Sequence, residues 1–564
     1  MKGPKFGKRT RVKNPWAWAV LLIAFGFSGC AHRERPDRNP IAAQLQKAEA
    51  LQRELKSTSA AGESQEKLRL KFDRQISKIV SSLRDRLSLI GAMALTNGGL
   101  RVGPYLLQMP PNDRSGTSLC LSDYDRLHPA DPTEERGITV EYARLGAGAA
   151  LVGELGESPE LTRERTNFYA QRIYLPVTAV LDFPESGSSP PRPAHLRLVD
   201  PHVPPDRIPG LKGQVLSANY PAVARLSLAR EAFIKSAWLG LLWPGLHLEE
   251  SGLFLLEPYR PHKIPVVMVH GLYSSPATWL EMASAIQADP ILSQRFQVWY
   301  FIYPTGLPIP ASAQQLRTSL KDAVNRLDPG LQQAASHEMV LIGHSMGGIL
   351  SRLQTTQSGD LFWTNFFTKP VEKLIVKDSV RRDLKESFFF DRQPCVSRVI
   401  FIATPHRGSG LADLWFSRWF VRLIHLPATT VQTASELLTL NVDAVRPDLL
   451  KYRKLGLTSV ESLSPGNPLY RAMEQRPIPV PFHSIIANRG DAKSKPTSDG
   501  VVPYDSAHLT NALSEIIIPA GHACTDSMEA ISEVKRILQV HLEGFDLRQK
   551  SGSQERGSEQ AGSH

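Results

Sequence analysis

One pentapeptide, Gly343-His344-Ser345-Met346-Gly347, has a composition and a position that suit nucleophilic catalysis. It directly follows the apolar run 339–342 and precedes a segment with helical spacing that begins near Gly348. Glycines two positions before and two positions after a serine let the chain turn sharply from a strand into a helix, and this turn exposes the serine hydroxyl. The motif therefore predicts that Ser345 is a nucleophile.

A serine hydroxyl needs a histidine that removes its proton, and that histidine needs a carboxylate that holds its tautomer. The glycine-flanked serine resembles the elbow of α/β-hydrolases, in which the chain order is nucleophile, acid, base. Three histidines precede any plausible acid and are predicted to be loop or packing residues: His270, His344 and His406. His483 begins a strand and His508 precedes the last strand, whereas His522 follows that strand. His522 is therefore the predicted base.

Three aspartates follow the strand that ends near residue 487: Asp491, Asp499 and Asp505. Asp499 precedes Gly500 in a turn, and the glycine permits the sharp loop that presents a carboxylate to the base. We prefer Asp499 as the acid, because only position favours the other two. Asp526 and Glu529 follow His522 too closely and suit a helix start.

An oxyanion that forms when Ser345 attacks a carbonyl carbon needs preorganised hydrogen-bond donors. The backbone N–H of Met346 is one expected donor, because Met346 directly follows the nucleophile. The second is expected from the loop after the first core strand, where the sequence reads His270-Gly271-Leu272. The backbone N–H of Leu272 is our candidate.

The elements around these residues are short apolar, β-branched runs that alternate with helical patterns. The runs cover residues 264–269, 298–303, 339–342, 399–402, 482–487 and 515–518, and one intervening helical pattern covers residues 311–327. Apolar strands that alternate with helices indicate a mostly parallel sheet with helices on both faces. The predicted fold class is therefore α/β.

Several motifs in this region resemble the bacterial esterase/lipase branch of the α/β-hydrolase superfamily, akin to lipases that are similar to GPI inositol-deacylase. The matching segments are residues 269–272, 274–279, 343–348, 403–409 and 498–503. The resemblance covers about residues 264–542, and the residues before 240 add nothing to it. It implies an α/β-hydrolase fold with helical cap insertions, and carboxylic ester hydrolysis by Ser345, Asp499 and His522, with no cofactor and no metal.

We expect a catalytic domain at residues 241–545 that is enlarged by two insertions, 361–391 and 411–479. Both insertions are rich in aromatic residues, such as Phe362, Trp363, Trp415 and Trp419. Such residues most often pack in a core, but beside an active site they can form a lid and an acyl-chain pocket. Both interpretations stay open here. A Gly/Ser/Gln/Glu tail, residues 546–564, is predicted to be disordered.

The N-terminal part of the sequence has a different hydrophobic pattern. Residues 41–55 and 68–90 carry two amphipathic helical stripes within a tether and helical region, 30–136. They could form a hairpin near a membrane, but we expect them to pack against the main domain. Residues 137–240 show period-two alternation between proline and glycine clusters, which predicts a small β-rich domain.

The net charge of +11 arises from 66 basic and 55 acidic residues, which invites a nucleic-acid interpretation. Six of the basic residues and none of the acidic ones lie in residues 1–29, so 60 basic residues face 55 acidic ones in the remainder. No basic stripe with interleaved aromatic residues occurs there. A nucleic-acid partner is therefore not expected.

Residues 1–29 combine this basic start with an apolar run, 16–27, and small residues before Cys30, which is typical of an export signal. Phe27-Ser28-Gly29-Cys30 resembles the lipobox of bacterial lipoproteins, which implies lipidation of Cys30. The residue after the cysteine is Ala31, and by the same resemblance this favours location in the outer membrane. The alternative is an ordinary secretory signal. The remaining cysteines, Cys120, Cys395 and Cys524, allow at most one disulfide and lack metal-binding spacing.

Together these features predict an exported, lipid-anchored serine esterase or lipase that acts on acyl esters or lipids at the cell envelope. An acyltransferase, a thioesterase or a phospholipase would use the same three residues. A non-catalytic envelope lipoprotein with a hydrolase scaffold is the alternative of another class.

Overall fold

The computed structural model describes residues 40–58, 62–86, 98–111, 118–155, 172–184, 190–208, 211, 213–228, 251–410, 437, 439–450, 462–490 and 497–561. The predicted signal segment and Cys30 lie outside these residues. Within them, no helix combines the length and the apolar character that crossing a bilayer requires.

The N-terminal unit contains two long helices and a six-stranded sheet. The helices are α1 (Pro40–Ser57), α2 (Glu63–Asp85) and the shorter α3 (Tyr220–Leu228). The strands are β1 (Leu100–Val102), β2 (Tyr105–Gln108), β3 (Tyr124–Pro129), β4 (Ala143–Arg144), β5 (Ala149–Leu155), β6 (Tyr174–Asp182), β7 (Arg192–Val199) and β8 (Ala218–Asn219). The large sheet has the order β1-β2-β7-β6-β5-β3, and β4 pairs with β8.

Helices α1 and α2 cover one face of this sheet. Leu45 of α1 and Ile76 of α2 are fully buried in the same apolar cluster as Leu181 and Leu196 of the sheet. The predicted boundary between residues 136 and 137 is therefore wrong, since the sheet begins at Leu100 and shares one core with the helices. The helices pack on this sheet because its apolar face needs a cover.

The C-terminal unit contains a seven-stranded sheet with helices on both faces. Its strands are β9 (Gly252–Leu255), β10 (Ile264–Val269), β11 (Phe296–Ile302), β12 (Met339–His344), β13 (Val396–Ile402), β14 (Phe482–Ala487) and β15 (Ser514–Ile518). Its helices are α4 (Leu280–Ala288), α5 (Leu292–Arg295), α6 (Ile309–Leu327), α7 (Met346–Gln354), α8 (Leu361–Phe366), α9 (Asp378–Phe388), α10 (Pro447–Leu450), α11 (Pro468–Glu474), α12 (Tyr504–Ala507) and α13 (Met528–Ala561).

The strand order is β15-β14-β13-β12-β10-β11-β9, and every neighbouring pair is parallel except β9 with β11. Alternate residues of β10 enter opposite cores: Val267 and Val269 join one apolar cluster, and Val266 and Met268 join the other. A sheet buried on both faces explains the continuous apolar runs in the sequence. The chain has the predicted α/β-hydrolase fold.

The order of the strands fixes where a site can form. From β10 the chain adds β11 on one side and then returns to add β12 on the other side. In an open α/β sheet such a reversal leaves a crevice at the carboxyl ends of the two strands. The loops that follow β10 and β12 therefore meet at one edge, and those that follow β14 and β15 reach the same edge.

The aromatic residues of the first insertion pack on one another. The rings of Trp363 and Phe367 stack with centroids 4.1 Å apart, and Phe388 meets both edge-on. The insertion also contacts α6, where Gln314 Nε2 donates to Glu386. These contacts favour the packing interpretation over a lid. The aromatic start of the second insertion, including Trp415 and Trp419, lies outside the described residues.

The last helix contradicts the predicted disordered tail. Helix α13 continues to Ala561, past the predicted boundary at residue 546. Phe545 is buried, Asp546 forms an ion pair with Arg295 at 2.5 Å, and Arg548 pairs with Glu338 at 2.8 Å. Composition suggested disorder because these residues are polar, but ion pairs with the sheet domain hold the first turn after Phe545.

Candidate active site

Ser345 lies in a strained turn between β12 and α7. Its backbone has φ 54° and ψ −124°, although a residue with a side chain rarely adopts a positive φ. A Cβ added to Gly347 would lie 2.0 Å from the carbonyl oxygen of Val269, and one added to Gly348 would lie 1.9 Å from Thr404 Oγ1. Only glycine fits at these two positions, because β10 and the loop after β13 lie too close to them for a side chain.

Three predicted residues meet at the carboxyl edge of the sheet. His522 Nε2 lies 2.9 Å from Ser345 Oγ, and His522 Nδ1 lies 2.7 Å from Asp499 Oδ2. A carboxylate only accepts hydrogen bonds, so Nδ1 carries the proton and Nε2 is left to accept from the serine hydroxyl. This arrangement can remove the serine proton as the hydroxyl attacks.

The turn predicted to carry the acid is formed as expected. Asp499 is 1% exposed, and its Oδ1 accepts hydrogen bonds from the backbone N–H groups of Val501 at 2.7 Å and Val502 at 2.6 Å. Gly500 adopts φ 93°, which suits glycine. The alternative Asp505 is exposed on α12, and Asp491 lies outside the described residues.

The loop after β13, residues 403–409, supports the acid turn. Ser409 Oγ donates to the carbonyl oxygen of Val501 at 2.5 Å, and Ser506 Oγ donates to that of Gly408 at 2.5 Å. The N–H of His406 also donates to the carbonyl oxygen of Ser506 at 2.9 Å. This motif, which carried part of the sequence resemblance, thus holds the segment that presents Asp499.

His344 has a contact that the sequence did not predict. His344 Nε2 lies 2.8 Å from the carbonyl oxygen of His522, and the two rings are 5.0 Å apart. Burial, together with the neighbouring His522, lowers the pKa of His344 to about 3, so its ring is neutral and Nε2–H donates. His344 therefore fixes the backbone that carries the predicted base. Its position directly before the nucleophile indicates only that it lies near the site.

The other two early histidines pack as predicted. The His270 ring stacks on Tyr303 with centroids 4.7 Å apart, and burial lowers its pKa to about 4. His406 is buried edge-on against Phe401. Of the later histidines, His483 bonds Ser514 at 2.7 Å and His508 bonds Glu515 at 2.7 Å. Neither reaches Ser345.

The predicted oxyanion donors are the N–H of the residue that follows the nucleophile and that of Leu272, in the loop after β10. Met346 is the first residue of α7, where backbone N–H groups have no partner within the helix. Gly271, which precedes Leu272, is so near the nucleophile that an added Cβ would lie 2.9 Å from Ser345 Cβ. The Tyr303 hydroxyl donates to the carbonyl oxygen of His270 at 2.7 Å and steadies this loop. The donation to an oxyanion stays a prediction.

Cys524 lies two residues after the predicted base but is not arranged to react. It is 1% exposed, and burial, with Asp499 nearby, raises the pKa of its thiol to about 12. A thiol in such surroundings is inert, because the reactive form is the thiolate. Cys120 and Cys395 are also free thiols. Among the described cysteines there is no disulfide.

One segment of the C-terminal unit matches a model of a known protein family. Residues 260–382 match the model of the PGAP1-like alpha/beta domain. This segment contains β10, β11, β12 and the elbow. Among curated proteins, none matches this chain.

Solved structures resemble about half of the chain at low identity. The mature lipase BlEst2 of Bacillus licheniformis is 19% identical, with 51% of this chain and 97% of that chain covered and a TM-score of 0.31. A lipase-esterase related protein of Clostridium acetobutylicum is 11% identical, with 50% and 98% covered and a TM-score of 0.26. Esterase B of Lactobacillus rhamnosis is 12% identical, with 53% and 81% covered and a TM-score of 0.29. These values are too low to transfer an activity.

Proposed function

We propose that this chain is a serine carboxylic-ester hydrolase, an esterase or lipase. The observation that carries the proposal is the continuous hydrogen-bonded chain from Ser345 Oγ through His522 to Asp499. It stands at the crevice where an α/β sheet of this order binds ligands. A protein that used the sheet only as a scaffold would not need a strained serine and a buried, fully bonded carboxylate at one point.

In the proposed reaction Ser345 Oγ attacks the carbonyl carbon of the ester while His522 Nε2 takes the hydroxyl proton. The new oxyanion accepts hydrogen bonds from the backbone N–H groups of Met346 and Leu272. When the tetrahedral intermediate collapses, the ester C–O bond breaks and His522 returns the proton to the leaving alcohol. The acyl group is then bound to Ser345.

Water completes the cycle. His522 takes a proton from water as its oxygen attacks the acyl carbon, and the proton passes to Ser345 Oγ as the acid is released. Asp499 keeps the proton on Nδ1 and stabilises the imidazolium that forms twice in each cycle. None of these steps requires a cofactor, because the chain supplies both the nucleophile and the base.

The same acyl-enzyme intermediate would also serve activities other than ester hydrolysis. An alcohol that replaced water would make the protein an acyltransferase, and a thioester or a phospholipid substrate would make it a thioesterase or a phospholipase. Product analysis with added acceptor alcohols separates these outcomes. A transfer product that exceeds the free acid would replace hydrolysis as the main activity.

We propose further that the enzyme is exported and lipid-anchored through Cys30, facing acyl esters or lipids of the cell envelope. The support is the signal pattern of residues 1–29 and the small residues before the cysteine. Two or more acyl chains would anchor the protein stably. Mass spectrometry of the mature N-terminus tests this, and an unmodified start at Ala31 or an uncleaved Met1 would refute it.

The catalytic proposal is tested with nitrophenyl esters of increasing acyl length. The protein is compared with Ser345→Ala and with Ser397→Ala, which removes a half-buried hydroxyl at the start of β13. We expect Ser345→Ala to lose activity by about 1,000-fold or more, and Ser397→Ala to stay within about twofold. Equal rates for the protein and Ser345→Ala would contradict the mechanism.

A further inference from the structure

A cavity of about 410 Å³ lies in the N-terminal unit, and the lining residues that the structure describes belong to that unit. Strand β5 begins at Ala149 opposite Ala179, so the last three residues of β6, 180–182, have no partner on β5. The cavity follows this uncovered strand edge and is closed by residues of α1 and α2. Pockets of 300 to 1,000 Å³ are of the size that small ligands occupy.

Two polar side chains of α2 line this cavity, and each has one buried atom without a hydrogen-bond partner among the described residues. Asp73 is 9% exposed, and its Oδ1 accepts no hydrogen bond from any residue that the structure describes. Arg69 lies one turn earlier on the same helix face, and its buried Nε likewise has no partner in the described part of the chain. The cavity wall thus holds one unmatched donor and one unmatched carboxyl oxygen.

Such groups cost the folded state free energy. A buried donor or acceptor without a partner costs about 1–3 kcal/mol. Native proteins satisfy nearly all of these groups, through the chain itself, through ordered water or through a bound ligand. The unmatched pair in one cavity indicates a ligand that meets both groups.

The charges of the cavity wall indicate the sign of the ligand. Burial raises the pKa of Asp73 to about 7 although Arg69 opposes this, so near neutral pH the carboxyl can carry a proton and donate it. The other charged residues of the wall, within the described part of the chain, are Lys56, Arg197 and Asp182. The wall therefore has an excess of positive charge, and its two unmatched groups can both act as donors.

We propose that this cavity binds a small carboxylate with an apolar chain. The carboxylate accepts hydrogen bonds from Arg69 Nε and from Asp73, and the chain lies against an apolar wall. This wall consists of Phe72, Ile76, Leu181 and Leu211. The proposal is independent of the proposed hydrolase activity, because no residue of the hydrolase unit takes part.

The test uses the full chain with Ser345→Ala and three probes of equal length, octanoate, octylamine and octanol, in titration calorimetry. We expect octanoate to bind at least about tenfold more tightly than the other two probes, since a charge-assisted hydrogen bond is worth that much. Arg69→Met and Asp73→Leu should each weaken octanoate binding about tenfold or more. Asp73→Asn keeps a donor and should stay within about threefold.

Lys78→Met is the matched control, because Lys78 is exposed on the same helix and does not line the cavity. Asp73→Leu should also raise the melting temperature of the free protein, since it removes an unmatched carboxyl. Absence of binding by all three probes would overturn the proposal and leave a cavity that holds only water. Preference for octylamine, or octanoate binding that Arg69→Met leaves unchanged, would overturn it as well.

Discussion

Replacement of Asp499 by asparagine tests the proposed charge arrangement with almost no change in shape. The Oδ1 atom of Asp499 accepts two backbone hydrogen bonds, at 2.7 and 2.6 Å, while Oδ2 faces His522 Nδ1 at 2.7 Å. An asparagine has one acceptor oxygen, and the two backbone N–H groups will hold that oxygen in place of Oδ1. The amide NH₂ must then face His522.

This orientation gives the base the wrong tautomer. The NH₂ group donates to His522 Nδ1, so the ring proton moves to Nε2, which then cannot accept the proton of Ser345. Turning the amide over would leave two buried N–H groups without an acceptor, at about 1–3 kcal/mol each. The productive tautomer is thus a population of about 3% at most, before the loss of the negative charge is counted.

We therefore expect Asp499→Asn to lower kcat about 10,000-fold, the loss seen when a triad acid is neutralised without change of shape. This corresponds to about 5.5 kcal/mol of transition-state stabilisation. KM should change little, because Asp499 is buried behind the base. The assay is hydrolysis of nitrophenyl butyrate, with the melting temperature as a check on folding.

Asp505→Asn is the matched control, because Asp505 was an alternative acid and is exposed. It should stay within about twofold of the unmodified protein. If Asp499→Asn kept more than a tenth of the activity, or if Asp505→Asn were equally impaired, the assignment of the acid would be wrong.

Three further predictions concern positioning, packing and pH. His344→Phe should lower kcat about tenfold without raising KM, because the backbone of His522 loses one hydrogen bond. His344→Gln, which keeps a donor, should recover part of the lost kcat. A rise in KM without a fall in kcat would contradict the positioning role of His344. Gly348→Ala should cost about 1–3 kcal/mol of unfolding free energy through its clash with Thr404, whereas Gly410→Ala, where space is open, should cost little. Burial lowers the pKa of His541 to about 3, so below about pH 6.5 the unfolded chain binds a proton that the folded chain does not. Urea unfolding should therefore show stability falling as the pH drops from 6.5 to 4.5, by up to about 1.4 kcal/mol per pH unit from this residue, and His541→Gln should reduce that slope; an unchanged slope would refute this cause.

The positions of Ser345, Asp499 and His522 could be predicted because strand order and turn chemistry are encoded locally. A glycine-flanked serine between an apolar run and a helix, and a turn that contains Gly500, are both visible in a few residues. Parallel connections bring all of these loops to one edge of the sheet, and the resemblance to α/β-hydrolases supplies the chain order of acid and base. These features do not depend on contacts between residues that are distant in the sequence.

The contact of His344 could not be predicted, because it joins a side chain to a backbone carbonyl 178 positions away. The boundary predicted within the N-terminal unit likewise failed because it depends on packing between distant elements. The helical stripes of α1 and α2 were visible, but the sequence did not show that they cover a sheet that begins at Leu100. The residues just after Phe545 are held in a helix by ion pairs with Arg295 and Glu338 of the C-terminal unit, and these partners are distant in the sequence.

Labelling with a fluorophosphonate probe tests whether Ser345 is the nucleophile. The probe reacts with an activated serine and can be mapped by peptide mass spectrometry. We predict one label per chain, on Ser345, with loss of ester hydrolysis in proportion to labelling and no label in Ser345→Ala. Ester hydrolysis that persists in Ser345→Ala, or a fully labelled serine elsewhere in the chain, would show that Ser345 is not the nucleophile.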